Sequence, residues 1–432
     1  MNVSRLLERA AEQLRRRALD DADATLDRAL AQSPNDPVAH NLRGLVAMER
    51  RDYPAAIAAY QHAMRLRSPF PEAMLNLSVA CNRTGEHELA IQLCSLVLRI
   101  APGNPLALVN LGMAYKGLRR HADALTAFER AGDHPMARFN AGHTLLLMGD
   151  LERGLPLFES RRGVLRIGAG LAGKPWNGTP APQATLLVIP EQGLGDFLLN
   201  ARFLPRLADA FARVVVQAPP PLARLAAALD PRLEVVTELG GARWDLWVPV
   251  MSLPLLCGVR SRADLPLEPW VRADVPPRAA DARPRVGLNW AGNPSYAYDF
   301  VRSAPLATFA PLVAAHPEVE WVSLHRGVRE GEAAEYGLPR PLADAADFLD
   351  TARAVAGCDL VLSTETAIPN LSGAMGVPTG VLAVPDWDWR WDGWYPRVTV
   401  CAQERGGDWS GAIAKASALV RELTAARSAQ AA

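Results

Sequence analysis

Several features are scarce in this 432-residue chain, and each scarcity narrows what it can be. There is no excess charge. Lys and Arg total 46 and Asp and Glu total 46, which excludes a generally basic nucleic-acid-binding surface. No apolar run reaches about 18 residues, so no membrane span is expected. The opening stretch MNVSRLLERAAEQLRRRALDD lacks the apolar core of a signal peptide, and a cytoplasmic location is the expectation. The five cysteines (Cys81, Cys94, Cys257, Cys358, Cys401) are scattered and include no C-x-x-C pair. They predict reduced, mostly buried thiols and no disulfide framework or zinc site. Tryptophan is missing before Trp176, and only His316 and His325 follow His143. That shift in composition predicts a domain boundary near 160–184, within a chain long enough for about two to four domains.

What is present begins with a repeat. Ala22, Ala56, Ala90 and Ala124 are spaced by 34 residues, as are Ala29, Ala63, Val97 and Ala131. Leu26, Tyr60, Cys94 and Phe128 keep the same register, and so do Gly44, Ser78 and Gly112. Small residues at fixed points let two antiparallel helices approach closely. The larger residue in register is expected to fill the next repeat's gap, and Pro34, Pro69 and Pro102 to end second helices. The pattern resembles the tetratricopeptide repeat, best over 37–70, 71–104 and 105–134, with a degenerate unit at 3–36 and a shortened one at 135–165. Such arrays do no chemistry; they offer a curved surface for a peptide or protein, or a scaffold.

From residue 185 the pattern changes to short apolar, β-branched runs: TLLVIP (185–190), RVVVQAP (213–219), LEVVTE (233–238) and DLWVPV (245–250). After the polar, proline-rich stretch 272–284 it restarts with RVGLNWAG (285–292), EWVSLH (320–325), DLVLST (359–364), TGVLAV (379–384) and VTVCA (398–402). Helical spacing lies between, at 306–316, 346–356 and 366–376, and again at about 409–426. Alternating strands and helices imply parallel sheets, with ligands beyond the carboxyl ends of the strands. The predicted organisation is a helical repeat domain (1–165), a linker (166–184), a small Rossmann-like unit (185–271) and a second Rossmann-like unit (285–432).

Three motifs are weak. Gly168-Ala-Gly170-Leu-Ala-Gly173 fits G-x-G-x-x-G, but Pro175 stands where a phosphate loop needs Ser or Thr and no helix pattern follows, so it reads as linker. Asp386-Trp-Asp388 has the form of a metal-chelating D-x-D but no supporting acidic cluster, and no metal is expected. Ser363 and Cys358 have no histidine nearby in sequence to make a nucleophile. Three others are stronger. Glu191-Gln-Gly193-Leu-Gly195-Asp196 follows a strand and opens a helix, placing Asp196 at a helix start that faces the crevice, or as a simple cap. Ser363-Thr364-Glu365-Thr366, with Ser372-Gly373 further along, ends a strand and begins a helix whose free amides suit a diphosphate. Asn289-Trp290-Ala-Gly292 ends another strand, and Arg302-Ser303 follows it.

Together PWNG (175–178), EQGLGD (191–196), ARF (201–203), SLP (252–254), GLNWAGNP (287–294), RS (302–303), DFLDTA (347–352), TETAIPNLSGAMGVP (364–378) and DWRW…WYP (388–396) are similar to the tetratricopeptide-containing bacterial glycosyltransferases. The catalytic part of that family resembles the heptosyltransferases and has the two-Rossmann GT-B fold. The resemblance implies a metal-independent, inverting transferase with no cofactor beyond its nucleotide-sugar donor. It implies Asp196 as general base on the acceptor. The donor would be held by Asn289, Trp290, Gly292, Arg302, Ser303, His325, Arg326, Thr364, Glu365, Thr366, Asn370, Ser372 and Gly373. Thr364, Thr366, Ser372, Gly373, Arg302 and Arg326 are expected around its phosphates, and Glu365 on sugar or ribose hydroxyls. Relatives usually read D-T-A-x-x-H where this chain has Glu365-Thr-Ala-Ile-Pro-Asn370, and often Gln-Lys where it has His325-Arg326. The acceptor is expected to be a protein recruited by the repeats, flagellin or another surface protein. The alternatives are a saccharide acceptor or a catalytically degenerate binding scaffold.

Overall fold

The computed structural model describes residues 2–279, 281–296, 299–385 and 387–431. The chain divides into two compact units, Met1–Met148 with Pro156–Leu165, and Gly149–Leu155 with Arg166–Ala432.

The first unit is a helical solenoid: α1 (Val3–Arg15), α2 (Leu19–Gln32), α3 (Pro37–Glu49), α4 (Tyr53–Leu66), α5 (Pro71–Thr84), α6 (His87–Ile100), α7 (Pro105–Gly117), α8 (His121–Arg130) and α9 (Pro135–Leu147). Proline begins α3, α5, α7 and α9, where its fixed φ is helical and its missing N–H would be unpaired anyway. Asp36 and Asn104 cap α3 and α7 by accepting from free amides of the first turn. The 34-residue register is a register of sizes. A Cβ on Gly44 would lie 2.4 Å from the Tyr60 ring, and one on Gly112 would lie 2.4 Å from Phe128. Where the glycine position holds Ser78, the partner position shrinks to Cys94, which Ser78 hydrogen-bonds. The large residue therefore fills a gap in its own repeat, between α3 and α4 or α7 and α8, and not in the next repeat as its spacing alone suggested.

The second unit holds two five-stranded, all-parallel sheets. The first contains β1 (Lys174–Pro175), β2 (Ala181–Ile189), β3 (Phe211–Gln217), β4 (Leu233–Val236) and β5 (Leu246–Pro249), in the order β1-β5-β2-β3-β4. The second contains β6 (Arg285–Asn289), β7 (Glu320–Ser323), β8 (Leu360–Thr364), β9 (Thr379–Ala383) and β10 (Val398–Ala402), in the order β10-β9-β8-β6-β7. In each, the chain reverses direction of growth beside the first long strand, between β2 and β5 and between β6 and β8. In open parallel sheets those are the points beyond which ligands bind. Fully buried strands such as Leu360–Thr364 and Thr379–Ala383 need both faces covered, which explains their continuous apolar runs.

Part of the stretch 174–184, expected as linker, is sheet: β1 (Lys174–Pro175) pairs with Leu246 and Trp247, and β2 starts at Ala181. The glycine run before them packs on that sheet. Gly168 and Gly173 have φ of +73° and +78°, and Cβ atoms there would lie 2.3 Å from the Trp247 ring and 2.7 Å from the Asp245 carbonyl oxygen. Close packing and left-handed backbone, not phosphate, account for these glycines.

Gly112→Ala is expected to destabilise the solenoid by about 1–3 kcal/mol through overpacking against Phe128. Gly103→Ala, where a Cβ meets nothing within 4 Å, should be close to neutral. Urea unfolding followed by far-ultraviolet circular dichroism checks the difference.

Candidate functional site

At the reversal point of the second sheet a directed hydrogen-bond chain forms. Ser363 Oγ donates to the Thr364 carbonyl at 2.8 Å, which leaves its lone pairs for Asn289 Nδ2 at 2.9 Å. Asn289 Nδ2 also donates to Thr366 Oγ1 at 3.1 Å, so its Oδ1 is the acceptor for His325 Nδ1 at 2.9 Å. Thr366 caps the helix Ala367–Ala374, accepting from the Ile368 amide. Burial holds the His325 imidazole below its usual value, against the opposing effects of the Ala291 carbonyl, Glu332 and Glu330. The loop after β6 is drawn in by Ser303, which accepts from the Gly292 amide at 2.8 Å and donates to Asp299 at 2.9 Å. Arg302 donates to the Glu365 carbonyl at 2.7 Å and to Asp299 at 3.1 Å. Gly292 is glycine because a Cβ would lie 2.6 Å from that guanidinium.

Other expected donor residues are brought near but face elsewhere. Ser372 accepts from Thr379 Oγ1 at 2.7 Å inside the core. A Cβ at Gly373 would lie 2.5 Å from the Tyr395 ring, so that glycine makes room for an aromatic residue. Glu365 accepts from the Val384 amide at 3.0 Å and Trp391 Nε1 at 2.9 Å, pinning the aromatic loop. Burial raises its carboxyl above the usual range while those donors oppose the rise. Arg326 donates to the Ala345 carbonyl.

The Glu191–Asp196 turn of the first sheet lies against this region. A Cβ on Gly195 would come within 2.6 Å of Asn370 Nδ2. Asn370 in turn accepts from Tyr395 Oη at 2.8 Å. Asp196 is buried; its Oδ2 accepts from the Gly193 amide at 2.8 Å, and its Oδ1 is ion-paired with Arg390. Arg390 is also held by both oxygens of Asp388 at 2.7 Å. Asp388 is thus an arginine partner, while Asp386 of the D-x-D lies outside the described residues. Glu191 accepts from the Met251 amide at 3.0 Å.

Arg202, Arg390, Trp270 and Tyr395 were not singled out as site residues from sequence. Arg202 is 4% exposed, sits 3.8 Å over the Trp270 ring and donates to the carbonyls of Leu199 at 2.9 Å and Trp394 at 2.9 Å. Burial pushes both guanidinium groups down to about 10, which leaves them charged at neutral pH. Only the aromatic neighbours in ARF and WRWDGWYP hinted at them. At the amino end of the second sheet lies a cleft of about 470 Å³ lined by Arg278, Arg285, Arg340 and Arg353. Their partners Asp359, Glu320, Glu330 and Asp350 neutralise it. Among the described residues no group of three His, Cys, Asp or Glu side chains could hold a metal ion. No described helix is long and apolar enough to cross a membrane.

Comparison with known proteins bears mainly on the first unit. Tetratricopeptide-repeat family models match residues 7–69, 41–105 and 106–131, so the helical array consists of tetratricopeptide repeats. The chain is 26% identical over 451 residues to protein FlbA of Caulobacter vibrioides, a match that takes in 94% of this chain and 70% of that protein. Among solved structures, MamA of Desulfovibrio magneticus RS-1 is 19% identical, with 38% of this chain and 94% of that one covered and a TM-score of 0.32. PilW, described as a type IV pilus biogenesis factor, is 16% identical, with 48% and 87% covered and a TM-score of 0.37.

Because the fold holds His325 neutral, its contribution to stability is present above the unfolded-state value of about 6.5 and is lost as pH falls toward the lowered folded value. His325→Gln should therefore lose less stability than the wild type between about pH 7 and 5.5. Denaturant unfolding over a pH series measures both slopes; parallel slopes would contradict the assignment.

Proposed function

We propose that the second unit is a glycosyltransferase of the two-Rossmann GT-B type, which moves a sugar from a nucleotide-sugar donor to a protein held by the tetratricopeptide repeats. One observation carries most of this reading. The turn bearing Asp196, at the carboxyl end of β2, packs on the helix Ala367–Ala374 at the carboxyl end of β8, where Asn289, Thr366 and His325 are joined. A candidate base and a candidate donor site are thereby within one crevice region. An acceptor hydroxyl is a poor nucleophile at neutral pH and gains from a base within hydrogen-bond reach. Asp196 is the carboxylate on the turn that packs against that helix; like Glu191 and Glu365 it accepts from a backbone amide, here that of Gly193.

A second reading has its own support. Asp196 is paired with Arg390, and a carboxylate engaged by a guanidinium cannot take a proton from a hydroxyl while the pair stands. A protein-binding module with a degenerate transferase fold would keep such a pair for stability alone.

Turnover assays with a panel of nucleotide-sugars separate the two readings. The transferase reading expects release of free nucleotide with at least one donor. It also expects Asp196→Asn to lower turnover by about 10²–10⁴ with donor affinity little changed. Absence of turnover with every donor, or near wild-type turnover in Asp196→Asn, removes the enzyme reading or the role of Asp196 respectively.

Deletion of residues 1–134 should abolish transfer to a protein acceptor and leave nucleotide binding largely intact. Unchanged transfer by the soluble truncated protein would make the repeats a scaffold only.

A further inference from the structure

The cleft at the amino end of the second sheet lies at the opposite strand ends from Asn289 and Thr366. Arg285, Glu320 and Val322 line it from the beginnings of β6 and β7. Val275, Pro276 and Arg278 line it from the segment before β6, and Arg340 from the loop 339–341. Arg353 and Gly357 line it from the end of helix Phe348–Ala356. Its volume of about 470 Å³ is that of a small-molecule site. Four lining side chains are arginines and one, Glu320, is a carboxylate.

The four arginines meet four carboxylates, but their hydrogen-bonding capacity is not used up. Glu320 is held by Arg285 on both oxygens at 3.0 Å and by Arg278 at 3.1 Å. Asp359 does not line the cleft; it accepts from the Arg285 amide at 2.8 Å and from Arg278 at 2.9 Å. Arg285 Nη1 has no hydrogen-bond partner among the described residues, and Gly357 leaves room beside it: a Cβ there would lie 3.2 Å from Nη1. Arg340 stands 3.8 Å from Glu330, beyond hydrogen-bond distance, so its side-chain donors are unfilled among the described residues. Arg353 makes one side-chain bond, from Nη1 to Asp350 at 2.6 Å, out of five possible donors. Asp350 and Asp359 are also shared with Arg224 and Arg427 outside the cleft, and Arg224 brings in one further carboxylate, Asp347. The connected cluster thus holds one more guanidinium than carboxylates.

This set of atoms selects its ligand. The unfilled groups are donors, and the one acceptor among the lining side chains is already gripped by two guanidinium groups. A guanidinium fork matches the paired oxygens of a phosphate or carboxylate. Arg285 on one side and Arg340 and Arg353 on the others call for more than one such group. Val275, Pro276, Val322, Pro339 and Pro341 offer apolar surface to a carbon skeleton between them.

We propose that this cleft is an anion site, separate from the crevice at the carboxyl ends of the strands, which takes a small molecule carrying two or more phosphate or carboxylate groups on Arg285, Arg340 and Arg353. The proposal does not rest on the transferase reading.

Isothermal titration of the full chain with sodium pyrophosphate and with sodium citrate, at an ionic strength held constant with chloride, tests it. At least one of the two is expected to bind. Arg340→Met and Arg353→Met keep an aliphatic stem and remove the fork, and each should weaken that anion about tenfold, the loss of a hydrogen bond between charged groups. These side chains are 43% and 50% exposed, so both variants are expected to fold, with far-ultraviolet circular dichroism and the thermal midpoint unchanged in the absence of anion. Arg302→Met, at the carboxyl end of the sheet, should leave the affinity as it is. Binding of pyrophosphate alone would keep the site and mark its ligand as a phosphate compound, and binding of citrate alone would mark it as a carboxylate. No binding of either anion, unchanged affinity in the folded Arg340→Met and Arg353→Met variants, or an equal loss in Arg302→Met would overturn the proposal.

Discussion

The Arg202 guanidinium is the interaction on which the second unit depends. It is a cation almost without exposure, at the end of the helix that follows β2, and it reaches the Trp394 carbonyl on the loop between β9 and β10. A buried charge is tolerated only when its donors are used and its field is met. Carbonyls of Leu199, Pro266 and Trp394 and the face of Trp270 meet most of this, with the Tyr395 ring 5.3 Å from the same guanidinium, while Nη2 has no hydrogen-bond partner among the described residues. Because the carbonyl partners come from both halves of the unit, the charge is satisfied only when the halves are together. Trp270 adds to the joint, its amide donating to the Ala374 carbonyl and its indole N–H to the Leu198 carbonyl.

The aromatic loop around Trp389–Trp391 depends on the same joint. Glu365 holds it from the second sheet through Val384 and Trp391, and Arg390 ties it to Asp196 on the first. Arg390 has two carboxylates to itself, Asp388 and Asp196, and Asp388 is at hand in bidentate geometry whether or not Asp196 is paired. The candidate base is thus held by a cation that has a second partner. That arrangement lets one structure agree with both a resting transferase and a binding module.

The solenoid rests on simpler physics. Gly44 against Tyr60 and Gly112 against Phe128 pair a ring with a missing Cβ, and Ser78 against Cys94 pairs two small side chains, so each helix pair can approach closely. Asn110 links neighbouring repeats by donating to Ser78 Oγ at 3.0 Å, an inter-repeat bond the 34-residue pattern alone does not announce.

Periodicity by itself determined the repeats, most of the long strands and helices of the second unit, and the place of Asp196 and Thr366 at helix starts, but not β1 or the first residues of β2. These depend on residues close in the chain, where spacing and backbone preference act directly. The sequence also carried the motifs by which a transferase is proposed. Only the tertiary structure decided which side chains still have chemistry to offer. Ser372 and Gly373 lie on the helix Ala367–Ala374 as the motif requires, yet they face Thr379 and Tyr395 because helix rotation is set by core packing. Glu365 and Asp196 are spent on partners 26 and 194 residues away, Trp391 and Arg390, and Arg202 reaches 192 residues to Trp394. Burial and charge pairing at such separations arise only when the sheets come together, and no local pattern encodes them.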